Sequence, residues 1–166
     1  SAPENVAWLL NIRGYDNPNS PIPNCRLLLT KDNNFYLISN ESKAKNLIKE
    51  KKISKKQIIN PKKFKIFVNQ LKGGKIIIDN KTCSLFFKEL LKKKFKISKN
   101  DDPIYLFKSI KNITEINNMT DSHIIDGAAL TKFLYWIKIK NKKKISEIDA
   151  QKKLEFFRKK NKKYLF

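Results

Sequence analysis

Residues 61–97 read PKKFKIFVNQLKGGKIIIDNKTCSLFFKELLKKKFKI, and their pattern sets the fold class. Pro61 suits the first turn of a helix over Lys62–Leu71, with Phe64, Phe67, Val68 and Leu71 on one face. Gly73-Gly74 ends it. Ile76-Ile77-Ile78 has no alternation, which predicts a central strand covered on both faces. Ser84–Lys93 is a second helix carrying Phe87, Leu90 and Leu91 inward, and Phe95–Ile97 is a further short strand. Toward the N-terminus, Arg26–Thr30 and Phe35–Ile38 read as strands joined by a Lys31-Asp32-Asn33-Asn34 hairpin turn. Ser42–Lys51 reads as a helix with Ser42 as N-cap, and Gln57–Ile59 as a short strand. Val6-Ala7-Trp8-Leu9-Leu10, a short apolar run before polar and Gly punctuation, predicts a buried strand. The three prolines within residues 17–24 predict a loop. Strands thus alternate with helices, which implies an α/β fold with a mixed sheet flanked by helices.

The character changes after Asp101-Asp102-Pro103. Asn112 and Glu115 have capping-box spacing. Ile116, Met119, His123, Gly127, Leu130, Leu134 and Ile137 then recur in steps of three and four, as one stripe of a long helix. A helix of that extent is expected to pack against something large. The basic run Lys138–Lys144 closes it, as suits a helix C-terminus. Ser146 and Asp149 open a second helix with Ala150, Leu154 and Phe157 on its apolar face. The break at Asp101-Asp102-Pro103 thus separates the α/β pattern from two long helices. An end on Tyr164-Leu165-Phe166 suggests truncation, because natural termini tend to be polar and loose.

The net charge is +22 over 166 residues. One reading is a nucleic-acid or anionic-surface binder. The other is genome composition: only Arg13, Arg26 and Arg158 are arginine among 37 basic residues, leaving 34 lysines, and Ile and Asn are abundant as well. A phosphate-gripping surface would favour arginine, whose planar fork binds phosphate in two places. The lysine runs at 49–56, 92–96, 138–144 and 159–163 are scattered, and aromatics do not alternate with them as stacking platforms would. No specific nucleic-acid partner is expected, although a lysine-rich nucleic-acid-binding or stand-alone interaction domain is the alternative reading. Cys25 and Cys83 are isolated, so buried thiols in a reducing compartment are expected. No signal pattern or membrane-length apolar run is present. The expectation is a soluble, cytoplasmic protein with no membrane partner.

The residues offer little chemistry. His123 is the single histidine. A metal-ligand role beside Asp126 competes with a core histidine hydrogen-bonded to a backbone group or to Asp126, and the second reading is preferred because no further nitrogen or sulfur ligand has suitable spacing. Glu115, Glu147 and Asp149 fall in first helical turns, where capping explains them. Asp79, Asp101 and Asp102 read as turn residues. Asp16, in a loop after the Arg13-Gly14 strand end, is the best acidic candidate for a functional role, but a structural salt bridge to Arg13 is the preferred reading. There is no GxSxG, P-loop or GxGxxG.

Two blocks resemble the Xaa-Pro aminopeptidase family. Residues 6–16, VAWLLNIRGYD, with the Asn-Pro-rich loop after them, are similar to the strand and loop that open the middle domain of three-domain members. Lys111, Asn112, Glu115, His123, Asp126, Gly127, Phe133 and Trp136 resemble the first helix of the catalytic domain, and Ser146–Arg158 the second. Ile125 and Ser122 depart from the family's usual Arg and Ala. The resemblance implies a creatinase N-terminal-like α/β domain followed by two long helices from the start of a pita-bread catalytic domain. It implies hydrolysis of the N-terminal peptide bond preceding proline, with proline-containing peptides as substrates and a homodimer as a candidate assembly. It also implies two divalent metal ions, manganese in the family's usual form, held by residues beyond Phe166. No catalytic or metal-binding residue is then expected in this chain. The motif positions Trp8, Arg13, Gly14, Asp16, Lys111, Asn112, Glu115, His123, Asp126 and Gly127 are expected to be structural, and the chain alone a non-catalytic scaffold.

Overall fold

A computed structural model describes residues 1–140 and 144–164. The interior of the basic run (residues 141–143) and the apolar end Leu165-Phe166 lie outside the described residues. The chain divides into two compact units, Ser1–Ser109 and the residues from Ile110 onward.

The first unit is built on a three-stranded mixed sheet of β1 (Arg26–Leu29), β2 (Phe35–Ile38) and β3 (Ile58–Ile59). β1 and β2 form the expected antiparallel hairpin, with Leu27 opposite Leu37, and β3 runs parallel to β2, with Ile58 opposite Leu37. Side chains alternate across a strand. Leu27, Leu37, Phe35 and Ile58 therefore face one core with Val6, Ile12, Cys25 and Ile53. Leu28, Ile38 and Ile59 face the other, with Phe64, Val68, Leu91 and Phe95. Complete burial of one such apolar side chain contributes about 1.5–3 kcal/mol.

The helices follow their local signals with some shifts. α2 (Glu41–Lys49) has Asn40 at its N-cap rather than Ser42. Pro61 opens a single tight turn, Pro61–Lys63, that leads into α3 (Phe64–Gln70), with Phe64 and Val68 buried as the pattern requires. α4 (Leu85–Lys92) is capped by Ser84, whose hydroxyl accepts from Phe87 N–H. Between them lies β4 (Lys75–Ile78), paired in parallel with β5 (Lys96–Lys99). These two form a separate two-stranded sheet in which Ile77 is 61% exposed. The triple isoleucine is therefore not a central strand covered on both faces. Ile76 and Ile78 pack into the second core while Ile77 points away from it.

Residues 6–10 form no strand. α1 (Pro3–Leu9) is a helix with Pro3 and Glu4 in its first turn, both helix-start signals, and with Asn5, Val6 and Ala7 buried. It ends in a Schellman motif. Asn11, at φ 48°, sends its N–H to Trp8 O at 3.2 Å, and Ile12 N–H reaches Ala7 O at 3.0 Å. Asn is among the few residues that adopt this left-handed conformation readily. α2 ends the same way around Lys51, at φ 57°. A short helix that the sequence reading lacked, α5 (Ile104–Ser109), closes the unit and packs against α1.

The second unit is a helical hairpin. α6 (Ile113–Ile139) and α7 (Glu147–Lys159) each start with a reciprocal capping box, Asn112–Glu115 and Ser146–Asp149. The pairs Lys163–Asp121, Arg158–Asp126 and Lys153–Trp136 run in opposite order along the two helices, so they are antiparallel. Ala129 is the buried residue of α6 among those described, while Ile116, Met119, Leu130 and Leu134 are each at least 40% exposed.

Candidate functional site

The motif residues of the first unit form a clasp. Arg13 follows the end of α1, and its guanidinium turns back onto the chain, donating to Ile12 O at 2.9 Å and Ala7 O at 3.3 Å. Trp8 is half-buried on α1. Gly14 donates its N–H to Pro21 O at 3.0 Å, which folds the Pro-rich loop back on the motif. A Cβ at Gly14 would lie 2.8 Å from Pro23 Cβ and 2.9 Å from Pro23 Cα, so the close approach requires glycine. Asp16 does not pair with Arg13. Its carboxylate accepts from Asn24 N–H at 2.6 Å and from the Lys43 ammonium of α2. The Lys43 hydrogen bond, then the Asn24 amide, hold Asp16 below the usual carboxylate range. Sequence spacing pointed to Arg13, the nearest cation, whereas Lys43 arrives from 27 residues away.

A buried polar network locks α1 to α5, and sequence reading did not find it. Asn5, 0% exposed, donates through Nδ2 to Asp102 Oδ2 at 3.0 Å and accepts from Lys108 Nζ at 2.7 Å. Asp102, also buried, accepts from Ile104 N–H at 3.0 Å and so orders the first turn of α5. The available signal was Asp-Pro before an apolar run, a helix-start pattern as well as a turn. Asp79 is the turn residue that the sequence suggested. Burial pushes its carboxyl up, but donation from Thr82 and Lys81 outweighs this, and the net shift is downward. Cys25 is buried, and desolvation raises its thiol to about 11. Cys83 is half-buried, and its thiol is raised for the same reason.

In the second unit, Asn112 Oδ1 accepts from Glu115 N–H at 2.9 Å and Glu115 Oε2 from Asn112 N–H at 3.0 Å. His123 is exposed rather than in a core, and its Nδ1 lies 2.7 Å from Met119 O. A carbonyl only accepts, so that bond places a proton on Nδ1. With Lys111, Ile116, Met119, Thr120 and Ile124, His123 lines an open, mostly apolar groove of about 580 Å³. Asp126 is held by Arg158 of α7 through two bonds, Nε at 2.6 Å and Nη2 at 3.0 Å. The Arg158 hydrogen bonds are the main reason the Asp126 carboxyl lies below its ordinary range. Gly127 is exposed, and a Cβ there would meet nothing within 4 Å.

The clasp, the network and the Asp126–Arg158 pair each tie two segments of the chain together. Among the described residues, no group of three or more His, Cys, Asp or Glu side chains could hold a metal ion. The described residues therefore offer no such ligand group for a two-metal centre. No helix of the described residues is long and apolar enough to cross a membrane.

Residues 1–115 match the creatinase/prolidase N-terminal domain. The chain belongs to that family. The creatinase-type unit accounts for the clasp, the network and both cores, and the match ends inside the first turn of α6. Similarity to known proteins continues past it. The chain is 33% identical to a probable Xaa-Pro aminopeptidase P of Neurospora crassa, over 93% of this chain and 25% of that protein. It is 29% identical to the Xaa-Pro aminopeptidase ApepP of Drosophila melanogaster, over 99% of this chain and 28% of that protein. An uncharacterized peptidase of Schizosaccharomyces pombe is 31% identical, over 95% of this chain and 26% of that protein. The chain thus spans about a quarter of the length of these curated relatives.

Proposed function

We propose that this chain is part of an Xaa-Pro aminopeptidase that removes an N-terminal residue preceding proline. The observation that carries the reading is similarity to proteins of that name across nearly the whole chain, helical hairpin included. In this proposal residues 1–105 are a middle, creatinase-like domain and residues 111–166 the opening helices of the catalytic domain. The exposed apolar stripe of α6 supports the idea that this helix belongs to a larger packed domain. Two divalent ions, manganese in the simplest case, would be held by side chains outside these residues. The role of this piece is to position: the Gly14–Pro23 clasp and the Asn5–Asp102–Lys108 network stiffen one unit, and the Asp126–Arg158 pair fixes the register of α6 on α7. Its substrates would be proline-containing peptides, its location the cytoplasm and its assembly a homodimer. The test is release of the first residue from an Xaa-Pro peptide by the full-length protein, with and without a chelator. Loss of activity on chelation and return with Mn²⁺ is the expected result. Full-length protein that leaves Xaa-Pro peptides intact in Mn²⁺ would overturn the proposal.

A further inference from the structure

Along the sequence aromatic side chains do not alternate with the lysine runs, but the hairpin brings the two together. At the end where α6 gives way to α7, Trp136 and Phe156 line an open groove of about 770 Å³. Lys140, Lys144, Lys152 and Lys153 line it with them. Lys153 Nζ lies 5.6 Å from the centre of the Trp136 ring and 4.7 Å from that of Phe156. Lys160 Nζ lies over Phe156, also at 4.7 Å. The one carboxylate on the wall, Asp149, is engaged in its capping box with Ser146.

We propose that this groove binds single-stranded nucleic acid without sequence preference, phosphates on the lysines and bases on the rings of Trp136 and Phe156. Three features favour that occupant. Four ammonium groups border one short groove, which matches a chain of phosphates rather than a single anion. The groove contains ring faces, and every base has a π-face to stack on them. Finally, the rings are at present covered by lysine ammonium groups, from half-buried Lys153 and exposed Lys160. A cation over a ring at an exposed site is held more weakly than a stacked base. A nucleotide can therefore draw Lys153 and Lys160 onto its phosphates and take their place over the rings. The lysines are flexible point charges, so they grip backbone without reading base edges. This is compatible with the absence of any specific nucleic-acid motif in the sequence.

The test uses the full-length protein and fluorescein-labelled (dT)15, followed by anisotropy in 150 mM NaCl. The double variant Lys144→Glu/Lys152→Glu reverses two exposed groove charges. Lys45→Glu/Lys65→Glu reverses two exposed lysines of the other unit and gives the same net charge. The groove variant is expected to weaken binding at least about tenfold and the control less than about threefold. Loss of two phosphate contacts should also flatten the log Kd against log salt slope by about 1.4. Phe156→Ala should weaken (dT)15 while leaving inorganic polyphosphate, which has no bases, unchanged. Circular dichroism of each variant checks the fold. No binding of wild type at this salt, equal losses in both double variants, or indifference of (dT)15 to Phe156→Ala with the fold intact would each overturn the proposal.

Discussion

Asp102→Ala removes the acceptor on which α1 and α5 both depend. Two hydrogen bonds go, from Asn5 Nδ2 and from Ile104 N–H, each at 3.0 Å. Hydrogen bonds to a charged group contribute about 1.5–3 kcal/mol each, and a donor left buried without a partner costs its desolvation. Asn5 is 0% exposed, so water does not replace the lost acceptor without opening the α1–α5 contact. The expected loss is about 3–4 kcal/mol, or roughly 15 °C in Tm for a unit the size of Ser1–Ser109. Because the chain divides into two compact units, the assay should report on the first one alone. Trp8 and Trp136 are the two tryptophans, and Trp8 is on α1. A Trp136→Phe background therefore gives a urea titration read from Trp8 fluorescence. In a double-mutant cycle, Asn5→Ala and Asp102→Ala should couple by about 1.5 kcal/mol. Asp102→Ala within about 0.5 kcal/mol of the parent, or independence of the two substitutions, would refute the assigned network.

Four further outcomes follow from local geometry. Gly14→Ala should destabilise the first unit by about 1–3 kcal/mol, because its Cβ meets backbone and ring atoms of Pro23 below 3 Å; Gly127→Ala, with open space around it, should stabilise α6 by about 0.5–1 kcal/mol. Urea midpoints of the two variants should therefore move in opposite directions. Lys51→Gly should stabilise α2 by up to about 1 kcal/mol, since Lys51 now holds a left-handed conformation at φ 57° that glycine adopts without a steric penalty; thermal denaturation is the check. The Asp126 carboxyl is lowered from 3.8 in the folded hairpin, so its contribution is fully present above about pH 5 and is lost as pH falls through the depressed folded value. The pair is about half exposed, which limits the effect to at most about 1 kcal/mol, and Asp126→Asn should flatten the acid limb of a pH–stability curve by that amount.

Where a short-range rule was complete, the sequence was legible. The Asn112–Glu115 and Ser146–Asp149 boxes need only a four-residue window, and both formed with the predicted partners. The β1–β2 hairpin and the buried face of α3 followed from period and turn chemistry in the same way. The failures have particular causes. Five apolar residues, Val6–Leu10, are too few to separate a period of 2 from one of 3.6, and the deciding signal, Pro3-Glu4, stood just before them. The run Ile76–Ile78 implied two covered faces, but burial of Ile77 needs a layer that local pattern cannot supply. Asp16 with Lys43, Asn5 with Asp102, and Asp126 with Arg158 are contacts across 27, 97 and 32 residues, set by topology and invisible to spacing. The groove lysines and rings were missed for the same reason, because Trp136 and Phe156 come from different helices.

We propose above all that this chain positions a catalytic centre whose metal ligands lie elsewhere in an Xaa-Pro aminopeptidase. The most direct measurement is cleavage of one Xaa-Pro peptide, in Mn²⁺ and after chelation, by the full-length protein and by residues 1–166 side by side. The account predicts chelator-sensitive release of the first residue by the full-length protein and none by residues 1–166. Metal-dependent cleavage by residues 1–166, or none by the full-length protein, would contradict it.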